Sequence, residues 1–276
     1  MKCLLAADLH YDLRKFDWIV DASPHVDVVV LAGDHLDLSS LVERPAQALV
    51  VEKYFRRIRA RIPLLVCSGN HDLDSQDANG ELTANWITGT RRFGVPTDGD
   101  SLLIDGTLFT ICPWWDGDHS RAKIAEQLLR DVANRPARWV WVNHTPPKDS
   151  PTSWNGKRSF GDSEVRSWIE EYQPDMVLSG HVHQSPFAKG GSWADRIGRT
   201  WVFNAGHQLG PLPSFVVVDT TAGSAYWVSL EGGEVAALEE STDRPFAPLT
   251  DPPGWLLSMG QAASRQPEQN SHPVDG

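Results

Sequence analysis

The chain contains few of the features that stabilise secreted or membrane-bound proteins. Only three of its 276 residues are cysteines, and Cys3, Cys67 and Cys112 all lie in apolar, strand-like runs. Because their number is odd and their spacing fits no thiolate metal motif, we expect buried, reduced thiols and no disulfide framework. Reduced thiols favour a cytoplasmic location.

Long apolar runs are also missing. No segment approaches the roughly 20 apolar residues that a membrane-spanning helix needs. The first predicted strand begins next to Met1, which leaves no room for a signal peptide. We therefore expect neither a membrane partner nor an export signal, and we find no internal repeats.

Positive charge is scarce, because 25 lysines and arginines face 36 acidic residues and the formal net charge is -11. Proteins that coat nucleic acid need clustered Lys and Arg to neutralise phosphates, so nucleic acid is not an expected partner. An acidic chain can still bind phosphate esters where bound cations reverse the local charge. No pattern indicates an oligomeric state.

What the chain does have is enough apolar sequence for a full core, since 41% of the residues are hydrophobic. The runs Cys3–Ala7, Val26–Ala32 and Leu64–Cys67 are continuous and aliphatic, which is typical of strands covered on both faces. The dipeptide Asp105-Gly106 predicts a hairpin turn. We expect an α/β fold in which two packed sheets carry helices on their outer faces.

Three helices are predicted between these strands, at about Pro45–Arg61, Ala122–Val132 and Ser163–Tyr172, the last with Asp162 as its N-cap. The stretch Asp74–Gly99 is predicted to be a long loop or lid. Near the end, Thr200–Asn204, Phe215–Asp219 and Ala225–Leu230 resemble an antiparallel meander.

The composition changes after about residue 240. We therefore predict one domain over residues 1–240 and a poorly ordered tail over residues 241–276, which is rich in Pro, Ser, Gln and Asp. Within that tail, Trp255-Leu256-Leu257 is the one apolar patch that could dock on the domain.

Five short motifs each follow a predicted strand, at the end where α/β sheets bind ligands. Together they supply seven side chains with oxygen or imidazole nitrogen donors, the ligands that hard divalent metals prefer. Two metals about 3.5–4 Å apart need one shared ligand, and an aspartate can offer one oxygen to each. The candidate metal ligands are Asp8, His10, Asp34, Asn70, His144, His181 and His183.

The ordered set of motifs resembles the calcineurin-like metallophosphoesterase superfamily over roughly residues 1–220, with a compact phosphodiesterase branch suggested by Pro113-Trp114-Trp115. The resemblance implies a four-layer α/β/β/α double β-sandwich and two divalent ions (Mn, Fe or Zn). It also implies that Asp34 bridges them. One ion would be held by Asp8, His10, Asp34 and His183, and the other by Asp34, Asn70, His144 and His181.

The same resemblance implies the reaction. A hydroxide between the metals would attack phosphorus, His71 would protonate the leaving group, and Asp37 would orient His71. Protein phosphatases of this superfamily carry Arg-Gly after the second aspartate of this motif, where this chain has Leu38 and Ser39. The implied substrates are therefore phosphodiesters or small phosphomonoesters.

His207, His35 and Trp114 are predicted to contact the substrate. His207 follows a strand end that the expected topology brings close to the metal-ligand loops, His35 lies inside the motif of Asp34 and Asp37, and Trp114 could stack on a nucleobase. Two alternatives stay open at this point: a nuclease with the same metal core, and a non-catalytic metal-binding scaffold for protein partners. The acidic charge disfavours the nuclease. The complete ligand set disfavours the scaffold.

Overall fold

A computed structural model describes residues 1–239 and 244–262. Its six α-helices are α1 (Leu13–Ala22), α2 (Arg44–Arg59), α3 (Asn85–Thr88), α4 (Asp118–Ala133), α5 (Ser163–Tyr172) and α6 (Gly254–Ala262). Its strands are β1 (Lys2–Ala6), β2 (Val28–Ala32), β3 (Leu64–Cys67), β4 (Ser75–Gln76), β5 (Leu82–Thr83), β6 (Ser101–Ile104), β7 (Thr107–Ile111), β8 (Arg138–Val142), β9 (Met176–Ser179), β10 (Ala194–Ile197), β11 (Thr200–Asn204), β12 (Phe215–Asp219), β13 (Ser224–Ser229), β14 (Gly232–Ala237) and β15 (Ala247–Pro248).

Most strands belong to two mixed sheets. The first has seven strands in the order β15-β14-β13-β12-β1-β2-β3, and the second has six in the order β10-β11-β9-β8-β7-β6. Strands β1, β2 and β3 are parallel to one another, as are β7, β8, β9 and β11. Each sheet therefore brings the carboxyl ends of its parallel strands to one edge.

Alternation along β1 shows how the layers form, because successive side chains of a strand point to opposite faces. Leu4 packs in a cluster with Phe16 of α1 and Phe55 of α2. Leu5 packs in a second cluster that also contains Val140 of β8, between the two sheets. The first sheet therefore has helices on one face and the second sheet on the other.

The outer face of the second sheet is covered in the same way. There, Trp141 of β8 packs with Leu128 of α4 and Ile169 of α5. The order of layers is thus helix, sheet, sheet, helix, which confirms the predicted four-layer double β-sandwich.

The structure agrees with two local predictions from the sequence, a helix N-cap and a hairpin turn. The side chain of Asp162 accepts hydrogen bonds from the backbone N–H groups of Glu164 and Val165, and so caps α5. Asp105 and Gly106 both have positive φ, at 46° and 71°, between β6 and β7. This is the backbone that a two-residue hairpin turn with the right-handed strand twist requires.

Two predictions about secondary structure need correction, and one helix was missed. Strand β11 pairs in parallel with β9 in the second sheet, so the predicted meander is instead formed by β12, β13 and β14. The predicted lid contains the β4–β5 hairpin and α3. Helix α1 was not predicted. Strand partners depend on distant parts of the chain, which local patterns do not reveal.

The segment predicted as a tail is in part structured. Strand β15 pairs with β14 at the edge of the first sheet, and Leu256 and Met259 of α6 are buried in the cluster that contains Phe16. The indole N–H of Trp18 donates to the Met259 carbonyl, at 3.1 Å. Residues 240–243 and 263–276 lie outside the described residues. Among the helices that are described, none is long and apolar enough to cross a bilayer.

We predict that Met259→Ala lowers the free energy of unfolding by about 2–5 kcal/mol, because it deletes a fully buried side chain between α6 and α1. The matched control is Leu257→Ala in the same helix, where the side chain is exposed and the expected change is within about 0.5 kcal/mol. Denaturant unfolding followed by circular dichroism measures both. Equal effects of the two substitutions would show that α6 is not docked.

Candidate metal centre

The five motif loops meet where the carboxyl ends of the parallel strands of both sheets converge. Asp8 and Asp34 each follow a strand of the first sheet by two residues, after β1 and β2, and Asn70 follows β3. His144 and His181 follow β8 and β9 of the second sheet. The fold therefore brings together side chains that are more than 170 positions apart in the chain.

Two overlapping clusters of metal-ligand atoms result. In each, the ligand atoms lie within 4.8 Å of one another, and Asp34 belongs to both. The first cluster consists of Asp8, His10, Asp34 and His183, and the second contains Asp34, His144 and His181. Asn70 joins the second cluster, since its Oδ1 lies 3.0 Å from His181 Nδ1. All seven predicted ligands thus lie at one site.

The two carboxylates of this site are almost completely buried, with exposed fractions of 0% for Asp8 and 2% for Asp34. Asp8 Oδ1 lies 3.2 Å from His183 Nε2, and Asp34 Oδ2 lies 3.3 Å from His144 Nε2. Burial alone would raise the pKa of both carboxyls, but the neighbouring histidines outweigh it and lower both pKa values. Two buried anions side by side require compensating positive charge.

His144 shows what kind of positive charge fits. Its Nδ1 lies 2.7 Å from the Ala32 carbonyl, so Nδ1 carries the proton that it donates there. Its Nε2 is buried and, among the described residues, has no hydrogen-bond partner of suitable geometry, although Asp34 Oδ2 lies 3.3 Å away. Burial lowers the pKa of His144, but Asp34 and Asp8 reverse the effect and raise it to about 9. The site therefore favours a cation next to Nε2, and this cation can be a proton or a metal ion. The carboxylate oxygens, amide oxygen and imidazole nitrogens of the site fit Mn, Fe or Zn.

Backbone geometry at the site is unusual. Four of the predicted ligands, namely Asp8, His10, Asp34 and His181, have φ between 45° and 68°, a left-handed conformation that residues with a Cβ adopt at a cost. Gly69 illustrates how close the loops approach, since an added Cβ would lie 2.2 Å from Asp34 Oδ1. Only glycine leaves room for the carboxylate at that point.

The buried carboxylate of Asp72 forms hydrogen bonds with two of these loops, the one that carries Asp34 and the one that carries Asn70. It accepts hydrogen bonds from the backbone N–H groups of Gly69, His35 and Leu36. Burial and the nearby Asp34 raise its pKa to about 7. Asp72 therefore holds the loops that carry Asp34 and Asn70 in position.

His71 lies at the mouth of the site, with 28% of its side chain exposed. Its backbone N–H donates to Asp34 Oδ1 at 2.9 Å, and its Nε2 lies 3.9 Å from Asp34 Oδ2. The ring of His10 contacts it edge-on at 4.7 Å. A side chain so placed is next to the two clusters and reachable from solvent.

Asp37 does not occupy the place predicted for it. Its Oδ1 accepts hydrogen bonds from the backbone N–H and the hydroxyl of Ser39, whereas His71 Nδ1 is buried without a hydrogen-bond partner in the described part of the chain. The predicted role of Asp37 in orienting His71 is corrected accordingly. The Asp37 carboxylate forms hydrogen bonds within its own turn, with Ser39, and does not contact His71.

The three residues predicted to contact substrate have different positions. His35 is buried between Phe55 and Trp86, and its Nε2 lies 3.0 Å from the Cys67 carbonyl, so its predicted substrate contact is wrong. The Trp114 ring lies 5.4 Å from that of His181 and is partly exposed. Trp114 is thus at the site.

His207 also lies at the site, 4.8 Å from His183 and 5.4 Å from His10 between ring centroids. Its Nδ1 lies 2.6 Å from the Asp8 carbonyl, which requires a proton on Nδ1. Its Nε2 then keeps a free lone pair. Burial, followed by the charge of Lys15, lowers the pKa of His207 to about 4.

Lys15 is a neighbour of the site that sequence reasoning missed. Its ammonium lies 2.8 Å from the Gln208 carbonyl and 3.3 Å from His207 Nδ1, and the side chain is 2% exposed. Burial lowers its pKa to about 8. No pattern around Lys15 distinguishes it from a surface lysine, because its helix was not predicted.

The family to which these motifs belong is established by comparison with known proteins. The profile of the family described as "Calcineurin-like phosphoesterase" matches residues 1–185. The chain belongs to the calcineurin-like phosphoesterase family. The resemblance stated from the motifs is thereby confirmed, and a phosphoesterase hydrolase with candidate metal ligands is the function class that membership supports.

Relatives are distant. A protein of Arabidopsis thaliana named "Probable inactive purple acid phosphatase 27" is 21% identical over 195 residues, which cover 62% of this chain and 31% of that protein. This chain thus spans less than a third of the length of that relative. The name of the relative concerns that protein and assigns no activity here.

One solved structure supports the fold. A purple acid phosphatase from yellow lupin (Lupinus luteus) seeds superposes with a TM-score of 0.52 at 14% identity, covering 87% of this chain and 52% of that one. A phosphoesterase from E. coli gives a TM-score of 0.43 at 14% identity, covering 86% of this chain and all of the other. At such low identity the lupin structure supports the fold alone.

We predict that the metal-free protein binds Mn²⁺ more tightly as the pH rises from 6.5 towards 9. The pKa of His144 is raised above its ordinary value, so its imidazolium must lose a proton before the ring can bind a metal ion. Each proton released on binding changes the metal affinity about tenfold per pH unit. Calorimetric titration measures this. His144→Ala should weaken binding and flatten the pH dependence, whereas His119→Ala, at an exposed position, should change neither. A pH-independent affinity would contradict the prediction.

A second prediction concerns the close approach of the loops. Gly69→Ala should lower metal affinity at least tenfold and the free energy of unfolding by about 1–3 kcal/mol, because the new methyl group overlaps Asp34. Gly254→Ala is the matched control, since its added Cβ would meet no atom within 4 Å. Metal analysis after dialysis and thermal unfolding measure both effects. Normal metal content in Gly69→Ala would refute the close approach.

Proposed function

We propose that this chain is a two-metal phosphoesterase that hydrolyses phosphodiesters or small phosphomonoesters. The observation that carries the proposal is the position of Asp34, whose carboxylate belongs to two adjoining clusters of ligand atoms. A carboxylate placed in this way is suited to hold two cations at once. The protein would act on a small-molecule substrate, and nucleic acid is not proposed as a partner.

Each cation has its own set of side chains in this proposal. When bound, the ions would lower the pKa of a water ligand to near neutrality and neutralise charge on the phosphate oxygens. One ion would be held by Asp8, His10, Asp34 and His183, and the other by Asp34, Asn70, His144 and His181. The Ala32 carbonyl holds the His144 ring so that Nε2 faces the site.

His71 is the proposed general acid. It is partly exposed, borders both clusters through Asp34, and belongs to neither cluster of ligand atoms. A leaving alkoxide needs a proton at departure, and a histidine beside the reacting group can deliver it. The backbone N–H of His71 fixes the residue to Asp34, which places its ring without help from Asp37.

His207 is proposed to contact the substrate. Because its Nδ1 donates to the Asp8 carbonyl, its Nε2 can only accept a hydrogen bond. Such an acceptor suits a hydroxyl group of the substrate. The ammonium of Lys15, held by the Gln208 carbonyl, supports the loop that carries His207.

The residues of the loop after Asp37 favour a small phosphate ester as the substrate over a phosphoprotein. Leu38 and Leu41 are exposed there, and neither can clamp a phosphate as an arginine would. The net charge of -11 disfavours the nuclease alternative, because binding of a nucleic-acid backbone needs an excess of Lys and Arg. The cytoplasmic location inferred from the buried, free cysteines stays a prediction.

The scaffold alternative deserves a test because a relative carries the word "inactive" in its name. Mn-loaded protein should hydrolyse bis(4-nitrophenyl) phosphate or 4-nitrophenyl phosphate, and chelation should abolish that activity. Asn70→Ala should lose one metal ion and most turnover. Absence of hydrolysis by protein shown to contain two ions would support the scaffold.

We predict that His71→Ala keeps its metal content but lowers kcat by about 10²–10⁴-fold for alkyl esters, which need protonation of the leaving group. The loss should be much smaller for 4-nitrophenyl esters, because 4-nitrophenolate leaves without a proton. Kinetics on matched alkyl and aryl esters measure the difference. His119→Ala, at an exposed position, is the control and should change neither rate. Equal losses for both esters would rule out the acid role.

A further inference from the structure

A cavity of about 490 Å³ opens between segments that follow the metal-ligand loops of the second sheet. Asp149, which lines it, comes five residues after His144, and Gly190, which also lines it, comes seven residues after His183. None of the metal ligands is among the described residues that line the cavity. Its volume is within the range of sites that bind small organic ligands. It is therefore a space of its own, close to the metal centre in the chain but separate from it.

Positive charge is concentrated around this cavity, although the chain as a whole is acidic. Lys157 and Arg158 line it, and the exposed Lys148 and Lys189 each directly precede a lining residue. Within the described residues, none of these four side chains takes part in an ion pair. Cations without a carboxylate partner raise the local positive potential and are available for an anionic ligand.

The two cations that line the cavity are presented by a tight hairpin. Trp154 and Ser159 form a β-bridge at its base. At its tip, the side chain of Asn155 accepts hydrogen bonds from the backbone N–H groups of Lys157 and Arg158, both at 2.9 Å. The backbone beneath the cations is thus ordered before a ligand arrives, which lowers the entropic cost of binding.

The wall combines an aromatic surface with groups that bind oxygen. The indole N–H of Trp154 donates to the Lys189 carbonyl at 3.1 Å, which fixes the ring. The guanidinium of Arg158 lies 4.3 Å from the centre of the Phe160 ring, and this cation–π contact leaves its N–H groups available for hydrogen bonds. One carboxylate, that of Asp149, is among the lining residues and is outnumbered by the cations. This balance of charge suits a dianion such as a phosphomonoester.

We propose that this cavity is a binding site for a phosphomonoester group, separate from the metal centre. Arg158 binds two oxygens of the group, Lys157 adds a point charge, and Trp154 contacts the organic part of the ligand. Phosphomonoesters occur on small soluble molecules and on lipid headgroups such as that of phosphatidic acid, and the chemistry of the cavity fits both sources. The inference concerns binding alone and does not depend on the proposed phosphoesterase activity.

The first test counts the binding sites for phenylphosphonate, a phosphomonoester analogue without an ester bond, by calorimetric titration of the Mn-loaded protein. The double variant Lys157→Ala/Arg158→Ala should have one site fewer than the wild type. The matched control Lys53→Ala/Lys123→Ala removes the same charge from exposed positions outside the cavity and should keep every site. Equal numbers of sites in the wild type and in Lys157→Ala/Arg158→Ala would overturn the proposal.

A variant with the opposite expected effect guards against misfolding. Asp149→Asn removes the like charge from the cavity wall, and asparagine tolerates the left-handed φ of 59° at this position. The affinity of the cavity for phenylphosphonate should rise about twofold to fivefold. A misfolded protein would not bind more tightly, so a gain supports the site, and an unchanged or lower affinity contradicts it.

Sedimentation with vesicles of phosphatidylcholine, with and without phosphatidic acid, distinguishes the two sources of the phosphate. Binding to phosphatidic acid that Lys157→Ala/Arg158→Ala abolishes would assign a lipid headgroup to the cavity. Binding of phenylphosphonate in the cavity without binding to these vesicles would assign a soluble phosphomonoester. If neither probe binds in the cavity, the proposal is wrong, whatever the metal centre does.

Discussion

The structure depends on the burial of two carboxylates side by side. Asp8 and Asp34 are withdrawn from water at the junction of two sheets, and burial of an unpaired charge is costly unless an opposite charge compensates it. Histidines surround both, and one of them, His144, has a buried nitrogen that no described residue satisfies with a hydrogen bond. The two carboxylates repel each other, and cations beside them would make their joint burial favourable. The loops with left-handed backbone, the close approach at Gly69 and the support from Asp72 all serve to hold this arrangement.

The fold places these groups through the parallel strands of each sheet. Asp8 and Asp34 follow neighbouring strands of the first sheet, and His144 and His181 follow neighbouring strands of the second. Contact between the sheets is apolar, with Leu5 and Val140 in the same cluster, so the hydrophobic effect brings polar loops together at the edge. Metal binding would then add to the stability of a core that already exists.

Much of the metal centre could be predicted from the sequence because every ligand loop follows a recognisable strand, and every ligand except His144 stands close to a glycine or a second ligand. Side-chain direction could not be predicted in the same way. His35 adjoins Asp34 in the chain yet points into the core towards Cys67, and the left-handed backbone at Asp34 that separates the two directions has no signal in the sequence. Asp37 forms a local turn bond with Ser39. Lys15 reaches the site from a helix that no local pattern revealed, and β11 joins the second sheet through a partner over 20 residues away.

The most direct test of the central claim is the number of metal ions bound by the wild type and by Asp34→Asn, measured by elemental analysis after reconstitution and dialysis. We expect two ions per chain in the wild type. Asp34→Asn should lose both or retain one weakly, because its amide offers only one oxygen in place of a bridging carboxylate. Two tightly bound ions in Asp34→Asn, or a single ion in the wild type, would contradict the account.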